Sequence, residues 1–426
     1  MLTFKTFKYM KKGLFFASVL FSLPVMAQTY VHQVLVANEG YFDFQTNAII
    51  EPATIGSYNP ATQQYQVVDT LEGMRFSSDI VIDGDFYYVA ADTKIFKMDL
   101  NTHQEISSVS CPGVRNLAIA NNQLIATRGE YQQVYDSYLH VYDKTDLHLI
   151  QAIDTVQGPK WATQNLVVVG AIAYIAVNNG YDWGHEKGLI GQLNLSTLQY
   201  GSEIDLGAEG KNPDNLFFFN NALYTVNNKD WTGSSVSKIE LNGSVQTSTI
   251  ASAVTGCGTS ALRDDKLVYQ LSMETTLNDF DLSLMNNVGP IASIQQNFYE
   301  LAQNPVSGEL YASSTDFFSS GLVQLFDASN SQVGQFTAGV SPGTIVFDVR
   351  QSNGLSTQIT GISISPNPAT DLIQVSGLEP GQEIYIYSLN GVCLLKSKEN
   401  TLNLNALSSG AYLLKAGNFS QRILKN

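Results

Sequence analysis

Asp214-Asn215-Leu216-Phe217-Phe218-Phe219, Asn220-Asn221, Ala222-Leu223-Tyr224-Thr225-Val226-Asn227 is the stretch that decides the fold. Two short runs rich in aromatic and β-branched residues flank a pair of asparagines. Such runs suit strands, and paired asparagines tolerate the left-handed backbone of a two-residue hairpin turn. The unit recurs. First strands are expected at Ser78–Ile82, Arg115–Ala120, Thr163–Val169, Asp214–Phe219, Thr259–Leu262, Phe298–Ala302 and Gly343–Val349. The first and last start 265 residues apart, a period of about 44 over the intervals between them. Tight polar turns follow most of them, at Asp83-Gly84, Asn121-Asn122, Asn220-Asn221 and Asp264-Asp265. Third strands end in Asp or Asn close to Ser or Thr, as in Asn59-Pro60-Ala61-Thr62 and Asp99-Leu100-Asn101-Thr102. In the unit around residues 259–297 the third and fourth strands are not evident.

Four strands per unit and seven units predict an all-β chain built on a seven-bladed β-propeller over residues 28–350. The ends agree with closure. The first unit begins with a second-type strand, Gln33–Asn38, and the last first-type strand, Gly343–Val349, has no unit of its own. That strand can complete the first blade, so no sheet edge stays open. The repeat grammar over Val31 to Arg350 resembles YncE-like and surface-layer-type propellers of bacterial exported proteins. The Trp-Asp blade ending of WD40 proteins and the double glycines of kelch blades are missing.

Residues 351–360 read as a polar linker. Beyond it the composition shifts, and residues 361–426 are expected to form a small immunoglobulin-like β-sandwich. Its landmarks are Pro366-Asn367-Pro368-Ala369-Thr370-Asp371, Ile386-Tyr387-Ser388-Leu389-Asn390-Gly391 and Gly410-Ala411-Tyr412-Leu413-Leu414. In order and spacing these resemble the type A sorting domain of the type IX secretion system, with Val392 in place of the frequent basic residue after the glycine. The resemblance implies passage of the outer membrane on the secretion machinery, engaged through residues 361–426. It also implies that the tail is commonly removed, and that the protein is surface-attached or released.

The N-terminus fits that route. Lys5, Lys8, Lys11 and Lys12 precede the apolar run Gly13–Leu23, and Val25-Met26-Ala27 offers a cleavage site. Residues 1–27 therefore read as a signal peptide cut near Ala27. No other run is long enough to span a bilayer, so no transmembrane segment is expected in the mature protein. Cys111, Cys257 and Cys393 are too few and too scattered for a disulfide framework. They read as small buried residues, with a Cys111–Cys257 bridge as the alternative. No histidine or cysteine spacing indicates a metal, and no cofactor motif occurs.

Of 426 residues, 23 are Lys or Arg and 38 are Asp or Glu, a formal charge of −15. The acidity resides in residues 28–360, at −20, while 361–426 carries +1. This argues against nucleic acid as a partner. In a propeller, loops between second and third strands emerge on the same face as the junctions between blades. The long ones, Glu39–Pro52, Gly129–Ser137, Asn179–Gly188, Lys229–Ser235 and Thr315–Ser320, are where binding is expected. Two patterns occur there. Arg75, Arg115, Lys160 and Lys211 precede successive first strands, with Phe76 and Trp161 beside them. Together they would favour an anion, unless each is neutralised by a neighbouring carboxylate. Asn38, Asn178 and Asn227 end second strands, with Trp183 and Trp231 shortly after the last two. Amides beside aromatic rings suit flat polar ligands such as sugars, or a partner surface, unless the asparagines only shape turns and the rings pack between blades. No catalytic set is evident, although Asp182-Trp183-Gly184-His185-Glu186 gathers two acids and a histidine. The leading expectation is a non-enzymatic surface protein that binds a ligand or partner through its long-loop face. The alternatives are an extracellular lyase or hydrolase, and a structural or adhesive surface protein.

Overall fold

The computed structural model describes residues 29–351, 362–378, 381–389, 391–417 and 419–426, with residues 257 and 258 by backbone only. The expected signal peptide, 1–27, lies outside these residues. So does the expected linker, except Gln351, which ends a strand.

Among the described residues, seven antiparallel sheets of four or five strands follow one another along 29–351, beside one two-stranded hairpin. The unit read first in the sequence is the fifth. It comprises Pro213–Phe219, Ala222–Asn227, Ser234–Glu240 and Val245–Ala251 in spatial order. Asn220 and Asn221 join its first two strands with φ of 46° and 61°, the doubly left-handed turn that matches strand twist. The second, third and fourth sheets open with Asp79–Asp83, Val114–Ala120 and Thr163–Val169. The fourth divides its outer edge between Gln199–Tyr200 and Ile204–Asp205. The sixth and seventh open with Thr255–Arg263 and Leu301–Gln303.

The first sheet is assembled from both ends of this region. Pro342–Gln351 pairs antiparallel with Thr29–Asn38, opposing Val34 to Phe347. Thr54–Asn59 and Gln64–Thr70 complete it. The first strand of each sheet touches those of the sheets before and after it, so the seven form a closed ring. Apolar clusters sit between neighbouring sheets. Leu35, Ile55 and Val346 of the first sheet, for example, pack with Ile80, Tyr87 and Met98 of the second.

The sixth unit does have its outer strands, Thr276–Asp281 and Asn286–Gln295. Asp281 Oδ1 accepts the Ser283 and Leu284 amides. The same side-chain turn closes the third strand at Asn59, Asp99, Asp143, Asn194 and Asp327, which explains the recurring Asp or Asn.

The C-terminal residues form two further sheets. One runs Ser363–Ser365, Leu372–Ser376, Thr401–Asn403. The other runs Cys393–Ser397, Ile384–Ser388, Gly410–Ala416, Phe419–Lys425. Ile373 and Leu402 of one pack with Ile386, Leu414 and Ile423 of the other, all fully buried. This domain lies on the tight-turn face of the ring. Among the described residues, no helix is long and apolar enough to cross a membrane.

Candidate functional site

Alternation along four-stranded sheets sends the connections between second and third strands to the face opposite the tight turns. Six of these connections are extended, and each displays a large apolar side chain. Phe44 is 79% exposed, Tyr131 52%, Trp183 67%, Trp231 40%, Met273 92%, and Phe318 63%. Phe44 rides on a hairpin of Tyr41–Asp43 with Ala48–Glu51. The rings meet across loops. Tyr131 lies 5.4 Å from Trp183, and Tyr41 lies 5.0 Å edge-on from Phe318.

Within this rim the four cations have different surroundings, although Arg75 and Arg115 share the Phe76 ring. Arg75 is spent on carboxylates. It binds Asp92 through Nε and Nη2, and Nη2 also meets Glu130 Oε1 at 2.6 Å. These partners hold its guanidinium well above the ordinary arginine pKa. Lys160 and Lys211 are exposed at the surface. Arg115 alone turns into the mouth of the ring. Its guanidinium is sandwiched between Tyr181 at 4.7 Å and Phe76 at 5.6 Å, and its Nε has no hydrogen-bond partner. Trp161 is half-buried, with Lys187 Nζ 4.8 Å from its ring.

The asparagines point inward. Asn38 is fully buried, donates to Tyr65 Oη at 2.9 Å and Thr54 Oγ1, and accepts the Gly339 amide. Asn178 accepts the Gly180 amide at 3.1 Å. Asn227 donates to Ser235 and Ser237, each at 2.9 Å, while its Oδ1 is buried without a hydrogen-bond partner. Asn38 and Asn178 hold backbone and side-chain partners of their own loops, as buried amides usually do. Trp183 and Trp231 are left as exposed surface.

The acid–base loop is not assembled for chemistry either. His185 Nδ1 pairs with Asp182 at 3.0 Å in the open, whereas Glu186 is buried and accepts the Gly184 amide. On the opposite face Asp143, Asp146 and His148 bring three potential metal ligands together, but Asp143 closes a turn and His148 pairs with Asp146.

Behind Arg115 the interior of the ring is acidic, which the sequence reading of its cations missed. A cavity of about 220 Å³ is lined by Asp79, Asn165, Asn215, Ser260, Glu300 and Thr344, equivalent positions near the starts of six first strands. Burial drives the Asp79 carboxyl up to about 7, against the pull of the Leu117 and Ile80 amides it accepts. Burial likewise raises Glu300 well above the usual carboxylate range, reinforced by Asp79, Glu39 and Asp214. Glu39 is raised by burial and held back by the Tyr299 hydroxyl, which donates to it at 2.6 Å, and by Arg115. The preference for an anion expected from four cations is therefore not supported by the interior, where carboxyls outnumber Arg115. The signal was available as Asp79, Asp214 and Glu300 at the starts of their strands.

Cys111 and Cys393 are free and buried, so Cys111 forms no bridge.

Residues 363–426 match the family model described as a secretion system C-terminal sorting domain. Three solved structures illustrate the likeness of the remainder. A hypothetical selenium-binding protein from Sulfolobus tokodaii is 9% identical at a TM-score of 0.55, covering 74% of this chain and 93% of its own. A functionally unknown protein from Desulfotomaculum acetoxidans is 13% identical at 0.53, covering 74% and 98%. Hydrazine synthase of Kuenenia stuttgartiensis is 13% identical at 0.51, covering 68% and 100%. At such identities the likeness is one of fold alone, the β-propeller. No curated protein matches the chain.

Proposed function

We propose that this chain, an exported β-propeller carrying a type IX secretion system sorting domain, is a non-enzymatic surface module that captures a ligand through its long-loop face. The propeller has seven blades, with the first closed by Pro342–Gln351. Its bounds are 28–350, followed by a linker, 351–360, and the sorting domain, 361–426. The signal peptide, 1–27, starts the route to the cell surface or the medium.

One observation carries the binding role: exposed aromatic rings on successive loops of a single face. Exposed rings on a rigid scaffold lose little conformational entropy on binding, and their faces stack on flat ligands. Aspartates and hydroxyls alternate with them, as at Asp230 and Thr232 beside Trp231, or Asp316 and Ser319 beside Phe318. That mixture suits a polar ligand with flat apolar faces, such as a sugar of an extracellular polymer. Arg115, held between two rings with its Nε unpartnered, is a cation placed to meet a ligand group at the mouth.

The test is quenching of tryptophan fluorescence by a panel of soluble polysaccharides, followed by the same titration with Trp183→Ala, Trp231→Ala and Phe318→Ala. Affinity for a binding polymer should fall about tenfold for at least one tryptophan variant, about 1.4 kcal/mol, the upper range of a lost stacking contact. Unchanged affinity in all three variants, with the fold intact, overturns the rim as the site.

A further inference from the structure

The docking of the C-terminal domain on the ring has more structure than a tether requires. Tyr387, Cys393 and Leu413 are each no more than 1% exposed, and they share one apolar cluster with Phe219, Leu267, Tyr311 and Phe347 of the ring. Polar contacts surround this cluster. The Asn220 amide donates to Leu394 O at 3.2 Å, and the Lys396 amide donates to Asn220 Oδ1 at 2.9 Å. Tyr387 Oη donates to Asp264 Oδ1 at 3.1 Å. Lys396 Nζ forms an ion pair with Asp265. The Lys415 ammonium, half-buried, feels the attraction of Asp264.

The two sides are complementary in charge. The acidic ring offers Asp264 and Asp265 at a tight turn, and the weakly basic domain brings Lys396 and Lys415. Shape agrees: a Cβ on Gly391 would lie 2.6 Å from Gln303 O, and its φ is +84°. A glycine is therefore needed where the domain's loop meets the ring. That loop also reaches the channel. Gly391 and Val392 line the acidic cavity at the end opposite Arg115. The apolar contacts extend to Val169 and Tyr174 of the fourth sheet, and Thr29 of the first donates to Ser420 O, while a cavity of about 530 Å³ lies between the domain and the second and third sheets.

We propose that the tight-turn face of the ring is a specific docking surface for this chain's own C-terminal domain, holding it without the linker. Through Gly391 and Val392 the domain covers part of that end of the channel, beside the cavity at Asp79 and Glu300. A chain severed within the linker remains a two-piece complex. The sorting domain is then retained by contact rather than by the peptide bond, and its loss needs undocking as well as cleavage.

The experiment uses the full chain with a site-specific protease sequence inserted between residues 352 and 361. After cleavage, the pieces are run on size exclusion at low micromolar concentration and about 0.15 M salt, where exposed charges are largely screened. Co-elution is expected. Asp265→Lys should weaken the complex about tenfold or more, by setting two cations together at the turn. Adding Lys396→Glu to it should restore retention, because the exchanged lysine then faces Glu383 as well as the new carboxylate. Separation of the unmodified pieces overturns the proposal. So does an unchanged affinity in Asp265→Lys, or a failure of the double exchange to recover it while both pieces keep their β-sheet circular dichroism.

Discussion

At the scale of single residues, the channel carboxyls set a pH dependence of definite sign. A carboxyl raised in the folded state holds its proton more tightly there than in the unfolded chain. Its contribution to stability is complete below the unfolded pKa of about 4 and is lost as pH rises through the folded value, about 7 for Asp79. Glu300 shifts in the same direction. Glu300→Gln keeps an acceptor for the Leu301 amide and removes the charge. Its melting temperature should exceed that of the parent by roughly 2 °C at pH 8 and match it near pH 4. An equal gain at both pH values would show that packing, not ionisation, is responsible. Arg75 and Arg115 make the complementary case. Arg75→Ala leaves buried Asp92 unpaired and should cost about 2 kcal/mol in denaturant unfolding, discounted from a fully buried pair because Arg75 is partly exposed. Arg115→Ala removes its contacts with the Tyr181 and Phe76 rings and should cost under about 1 kcal/mol. Ligand capture should respond in the opposite order.

At the scale of the element, the turn decides what the strand does. Asn220 accepts the Lys396 amide while its own backbone sits at positive φ. Asn220→Ala should cost about 1–2 kcal/mol, through left-handed strain and the lost acceptor. In the severed chain it should also loosen the two-piece complex, a readout that a turn defect confined to the fifth sheet would not move. The hairpins themselves were legible because each is local: two apolar runs and a polar pair carry their own geometry. The sixth unit was not legible. Its third strand, Thr276–Asp281, has few apolar residues, and its fourth, Asn286–Gln295, contains Gly289 and Pro290; the third gains its place by pairing with Lys266–Leu271 and the fourth by pairing with the third. Tertiary pairing there overrides weak local preference.

At the scale of the whole molecule, the sorting domain and the exposed aromatic rim occupy opposite faces. The sorting domain covers the tight-turn end, which leaves the aromatic rim to solvent. A chain lacking residues 363–426 should accumulate inside the cell envelope, with little in the medium or on the surface by fractionation. Appearance outside at the parent's level would deny those residues their export role. What the sequence determined by itself was what repeats or stands contiguous: the β units, the closing strand, the sorting motifs and the acidity of the ring. Periodicity and turn chemistry are local properties, so they survive without coordinates. Tertiary structure alone decided the fate of each charge and amide. Asn38, Asn178 and Asn227 turned inward, and Arg75 was paired with Asp92 and Glu130, from the next two blades. The acids of the first strands converged on one cavity. Pairing and burial depend on residues tens to hundreds of positions apart, such as Tyr387 on Asp264 or Glu39 on Tyr299, and only the closed ring brings those together.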